Sequence, residues 1–143
     1  MAQIELPGTT LTGELTTADA TTQMLAKISF AGVTLSVELA TTPAAQQLGL
    51  SDRASMPADH GMLFIFNQEA QWGFWMHDMR FPLDIIWFNA SRRAVFIEQD
   101  LPPCTPSTCP VYTPLVNASY VLEVDAGFVA ANGVELGDSF AFV

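Results

Sequence analysis

The chemistry-bearing residues of this sequence crowd into one stretch, Gly73-Phe74-Trp75-Met76-His77-Asp78-Met79-Arg80-Phe81-Pro82-Leu83-Asp84, where polar groups stand among large apolar side chains. Asp84 opens the apolar run Ile85-Ile86-Trp87-Phe88. A carboxylate at the edge of a core is costly unless it is bonded. Two arrangements satisfy it. Main-chain amides around the turn Phe81-Pro82 can hold it in a structural role. Alternatively, it forms an ion pair or acid group in a small pocket floored by Trp75 and Met76, with Arg53, Arg80 and His77 as candidate partners. Aromatic platforms beside carboxylates hold sugars and cationic groups, and the same residues also fill the cores of small β domains. His77 likewise stands between a structural imidazole and an acid–base group. The candidate ligand-binding set is therefore Arg53, Trp75, Met76, His77, Arg80 and Asp84, with no residue assigned as catalytic.

Nucleophilic and phosphate chemistry find no support. There is no G-x-S-x-G elbow and no Gly-rich phosphate loop. Cys104 and Cys109 lie five positions apart in Pro102-Pro103-Cys104-Thr105-Pro106-Ser107-Thr108-Cys109-Pro110, a loop too rich in proline for helix or ladder. A disulfide closing this small ring contributes about 2 kcal/mol in a chain-entropy estimate. Its rivals are free thiols and a metal pair. A zinc site wants a second pair of ligands, for which only His60 and His77 are at hand, both distant in sequence. The expectation is a disulfide, no metal and no cofactor. A disulfide points to an oxidising compartment. The triplets Asn89-Ala90-Ser91 and Asn117-Ala118-Ser119 match the glycosylation pattern, which is too short to decide localisation.

Composition narrows the partners. The chain has 143 residues, half of them hydrophobic, with fifteen acidic and five basic residues and a net charge of −10. Five scattered bases supply no stripe for a nucleic-acid backbone. High hydrophobicity with few charges excludes a disordered chain. Apolar runs of about five residues, such as Met62–Phe66, fall far short of the roughly twenty that a membrane-spanning helix needs. No basic region followed by an apolar run opens the chain, so no secretory leader is visible. What is left is an acidic globule with a largely neutral surface.

The elements that must position these residues are short. Residues 1–24 carry seven threonines, three acids and no base, and read either as a solvated tail or as an extended arm able to join a sheet. Residues 25–143 read as one domain. Lys27–Ala40 alternates apolar and polar positions on both sides of Ala31-Gly32, a β-hairpin. Thr42-Pro43 is an N-cap followed by proline, and Gly49 stops that short helix. Strands are expected at 61–66, 71–76, 83–89, 94–99 and 120–124. A second short helix over Phe128–Asn132 ends at Gly133, and a last strand follows. The fold class is mainly β: a small barrel-like or rolled antiparallel sheet with two short helices.

Five separated strings carry a family likeness: Leu48-Gly49-Leu50-Ser51-Asp52-Arg53, Gly61–Phe66, Phe74–Ile85, the Pro-Cys…Cys-Pro-x-Tyr loop ending at Tyr112, and Val121–Gly127 with the later Gly137-Asp138. In this order they are similar to the domain of unknown function 192. That family's usual strings are G-L-M-x-R and F-W-M-K-N-T-x-x-P-L-D. Here Ser51 stands for methionine, His77 for lysine, Asp78 for asparagine and Met79 for threonine. Arg53, Gly61, Met62, Phe74, Trp75, Met76, Pro82, Asp84, Glu123 and Gly127 keep the pattern. The resemblance implies a small mostly-β domain, often exported or lipid-anchored in relatives, and no established enzyme activity.

Three functions are thus expected, in falling order. The first is an extracytoplasmic or extracellular binding module with an aromatic and acidic pocket for a polar small molecule or glycan. The second is a structural subunit of an extracellular assembly (a filament, surface layer or virus-particle decoration) whose partners are other copies of itself, joined through the N-terminal arm. Its motive is the sparse charge, since interface cores are depleted in charged residues. The last is a hydrolase using His77 with Asp84.

Overall fold

The hairpin at Ala31-Gly32 forms because both turn residues take positive φ, +52° and +76°, which suits the twist of a two-residue connection. It joins β2 (Met24–Phe30) to β3 (Val33–Ala40). The computed structural model describes residues 3–5 and 24–143, so most of the expected arm lies outside the described residues. Its residues Gln3–Glu5 form β1, which pairs antiparallel with β5 (Gly73–Trp75). The remaining strands are β4 (His60–Ala70), β6 (Leu83–Phe88), β7 (Ala94–Leu101), β8 (Val111–Tyr112), β9 (Ala118–Asp125) and β10 (Phe140–Phe142). Among the described residues the helices are α1 (Pro43–Leu48) and α2 (Phe128–Asn132).

Seven strands make the main sheet in the order β10-β2-β3-β4-β9-β6-β7, and β1-β5-β8 make a smaller one. Every pair is antiparallel except β3 with β4, which run parallel because the crossover through α1 returns the chain in the same direction. Thr42 caps α1, its hydroxyl accepting the Ala45 amide at 3.1 Å. Gln46 pins α1 to the sheet, donating Nε2–H to the carbonyls of Ala40 and Ile65 at 3.1 and 2.9 Å.

The main sheet curls. Phe30 on β2 and Phe88 on β6 are four strands apart, which a flat sheet would set about 19 Å apart. Their ring centroids lie 5.2 Å apart. The concave, inner face holds one core, with Ile28, Phe30, Leu63, Ile86, Phe88, Leu122 and Phe140 under the helix residues Phe128 and Val129. The two ends of the curl meet where Ala94 exchanges main-chain bonds with Asp138 and Gly137, both at 2.8 Å. The outer face holds a second core, roofed by the smaller sheet. Phe74 of β5 packs edge-on against Phe64 and Trp87, with centroids 5.0 and 5.9 Å away. Covered on both faces, β6 is buried at every position.

The rolled sheet and two short helices expected from the sequence are present. Of the stretch 71–76 only Gly73–Trp75 is strand, and it forms the centre of the roof rather than part of the main sheet, where Phe74 and the flanking Trp72 and Met76 are buried in the outer core. Among the described residues, no helix is long and apolar enough to cross a membrane.

Candidate functional site

On the outer face, strand registry sets a transverse row. Glu38 of β3 stands beside Met62 of β4, which stands beside Glu123 of β9, then Ile85 of β6, then Glu98 of β7. Carboxylates therefore recur on every second strand, with apolar side chains between them. Arg53 serves the first two. Its guanidinium donates to both carboxylate oxygens of Glu38, at 2.5 and 2.7 Å. Its pKa rises above the usual arginine value, chiefly through that hydrogen bond, with the charges of Glu38 and Glu123 adding to it and burial working against it. Glu123 has no exposed surface. Strands β4 and β9 approach closely here, since a Cβ on Gly61 would lie 2.9 Å from the Glu123 carbonyl oxygen. At the far end of the row, burial raises the Tyr112 pKa above the ordinary tyrosine value, and the charge of Glu98 adds to the rise.

Beside Glu38 the outer face is open. A cleft of about 540 Å³ runs over β2, β3 and the start of β4. The adjacent row Lys27, Ser36, His60 crosses its floor, and Leu25 pairs with Glu38 in the next. Among the described residues, none of β5 or β8 lines it. Leu25 and Val143 form apolar walls, 76% and 73% exposed. His60 Nε2 lies 3.7 Å from Asp59 Oδ1.

The structure divides the six candidate residues rather than gathering them. Arg53 stands beside the cleft, bound to Glu38. Trp75, half-buried on β5, stacks on His77 with ring centroids 4.8 Å apart, and His77 Nδ1 lies 3.1 Å from Asp78 Oδ2. The two loops touch through the Asp52 amide, which donates to the Asp78 carbonyl at 2.9 Å. Met76 is buried in the outer core and Arg80 is exposed.

Asp84 is the correction. It lies on the inner face, away from any pocket floored by Trp75 and Met76, because one residue of displacement along a strand reverses the side chain. Its Oδ1 accepts the Asp100 amide and its Oδ2 the Val129 amide, both at 2.9 Å. Both amides need it. Asp100 sits in a bulge of β7 with φ +53°, its N–H turned out of the ladder. Val129 is in the first turn of α2, whose N-cap is Gly127, at φ +97° and with no side chain to offer. Main-chain amides do hold Asp84, but those of β7 and α2 rather than of the Phe81-Pro82 turn.

Cys104 and Cys109 form a disulfide. The Cys104 amide donates to the Met76 carbonyl at 3.4 Å, so the proline loop is tied to the His77 loop. No group of three or more His, Cys, Asp or Glu able to hold a metal occurs among the described residues.

Lys27, Ser36 and Glu38 lie outside the candidate set read from the sequence. Their signal was present, since all three fall on the polar face of the alternating hairpin, but that pattern equally describes a solvated surface. Only the parallel arrival of β4 makes the face a cleft.

Residues 26–142 match the family DUF192, described as an uncharacterised ACR. No curated protein matches the chain. A crystal structure from Sinorhizobium meliloti 1021, provisionally named a transcription regulator, is similar with 29% identity and a TM-score of 0.78, covering 91% of this chain and 98% of that one. A protein of unknown function from Novosphingobium aromaticivorans DSM 12444 shares 26% identity and a TM-score of 0.73, covering 90% and 99%.

Proposed function

The chain belongs to the uncharacterised family DUF192, and from that premise, which brings a fold and no activity, we propose a non-enzymatic module that binds a polar small molecule in the outer-face cleft. The observation that carries this reading is the convergence of Lys27, Ser36 and Glu38 on one open concavity, with Glu38 held in place by Arg53. Its volume, about 540 Å³, lies within the range of small-molecule sites. A carboxylate clamped through two hydrogen bonds loses little rotamer freedom when a ligand arrives, which favours binding. The disulfide supports a location outside the cytoplasm.

Two other readings have less behind them. The S. meliloti protein is named for transcription regulation, yet for a nucleic-acid contact by this chain a net charge of −10 with five bases offers no phosphate-binding stripe. An assembly subunit joined by the N-terminal arm rests on residues that lie largely outside the described set, and Gln3–Glu5 pair with β5 of their own chain. The test is a titration of isotope-labelled protein with mixed pools of amino acids, peptides, nucleosides and sugars, followed by amide NMR. Shifts should concentrate at residues 25–27, 36–38 and 60. An unresponsive spectrum, or shifts confined to Trp75–Asp78, would refute the assignment.

A further inference from the structure

On the premise that the cleft is the binding site, we infer that its ligand is a small zwitterion, an amino acid or dipeptide with an aliphatic side chain, rather than a glycan. Among the described side chains lining the cleft, Lys27 and Glu38 bring opposite charges. Lys27 is the only lysine of the chain and is exposed on the cleft floor. It is diagonal to Glu38 across the hairpin, since Lys27 pairs with Ser36 and Leu25 with Glu38. Such diagonal positions are about 7–8 Å apart, within reach of long side chains.

Arg53 is not the cation on offer, because Glu38 occupies its fork and Glu123 lies close to it. Each Glu38 oxygen accepts one guanidinium N–H and keeps a second lone pair. A ligand carboxylate therefore meets the Lys27 ammonium and the Ser36 hydroxyl, and a ligand ammonium meets Glu38. The exposed walls Leu25 and Val143 suit an aliphatic side chain.

A glycan would want a flat ring to stack on, and among the described residues none lining the cleft is Phe, Tyr or Trp. The half-buried stack of Trp75 and His77 belongs to other elements, outside the cleft. Overall charge acts in the same direction. At −10 the chain repels a simple anion, whereas a zwitterion enters without that penalty.

The experiment is calorimetric titration of the full chain with the dipeptide Ala-Leu, its N-acetyl form, its C-terminal amide, and maltose. Ala-Leu should bind, and each cap should weaken binding about tenfold by removing one charge-assisted contact. Lys27→Ala should abolish the preference for the free acid over the amide while keeping the preference for the free amine. Glu38→Gln should do the reverse. Because Glu38 also holds Arg53, the exposed Lys27 provides the variant that leaves the fold undisturbed. Equal binding of capped and uncapped dipeptide overturns the inference. So does binding of maltose without Ala-Leu, which leaves the cleft itself standing as a site. Binding of none of the four removes both.

Discussion

Asp84 and Glu123 lie on neighbouring strands, β6 and β9, in adjacent rows of one sheet, and neither has any exposed surface. They face opposite ways. Asp84 looks into the sealed inner core and binds two main-chain amides, joining a strand bulge to a helix start. Glu123 looks to the outer face, where Arg53 links it electrostatically to Glu38 and so to the cleft. One buried acid completes the backbone's hydrogen bonding, while the other supports a charged group that solvent can reach. Burial of a carboxylate thus does not mark a binding site; what it is bonded to decides.

The largest expected effect breaks the inner arrangement. Asp84→Ala removes two hydrogen bonds to a charged acceptor, each worth about 1.5–3 kcal/mol, and strands both amides. We expect a loss of about 4 kcal/mol in urea unfolding. The dipeptide affinity of the folded fraction should not change. A variant of near wild-type stability would contradict the structural role given to Asp84.

Arg53→Met should cost somewhat less, about 3 kcal/mol, by removing the cation of a partly buried ion network. Unlike Asp84→Ala, it should also weaken ligand binding, because Glu38 loses its clamp. Adding Glu123→Gln should restore much of the stability, since the buried charge leaves with its partner. Strict additivity of the two substitutions would show that the residues are not coupled.

The smallest effect lies at the far end of the outer row. Tyr112 should ionise above the usual value of about 10 in an ultraviolet titration assigned with Tyr112→Phe. Glu98→Gln should lower that value only part of the way, because burial is the leading cause of the shift. With a folded-state value above the unfolded one, the contribution of Tyr112 to stability is intact below the ordinary tyrosine pKa. It is lost as pH rises through the raised value. A Tyr112 that titrates at or below the ordinary value would place its ring in solvent.

Local elements were legible because their determinants are local. The hairpin at Ala31-Gly32, the Thr42 cap, the Gly49 and Gly133 stops and the Cys104–Cys109 bridge each depend on a few adjacent residues, and each occurs where expected. The candidate site was legible only in part. Arg53 is a candidate from sequence, but its partner Glu38 is fifteen positions away on a strand that reads as an ordinary half-solvated one. Trp75 and His77 do stack, as neighbours two apart can. Asp84 reads in the sequence as a buried acid in need of partners, yet its amides come from residues 16 and 45 positions distant.

Alternation, turn residues and composition, by themselves, determine that this chain forms a mostly-β domain, acidic and poor in charge, with a stapled loop. They do so because each is written into neighbouring residues. Which face of the sheet becomes the core and which the cleft is a different matter. It depends on the curl that brings Phe30 onto Phe88 and on the crossover that lays β4 parallel to β3. Both place residues side by side that no local pattern relates. A one-residue change of register would have exchanged the roles of Asp84 and its neighbours, so only the tertiary structure could assign them.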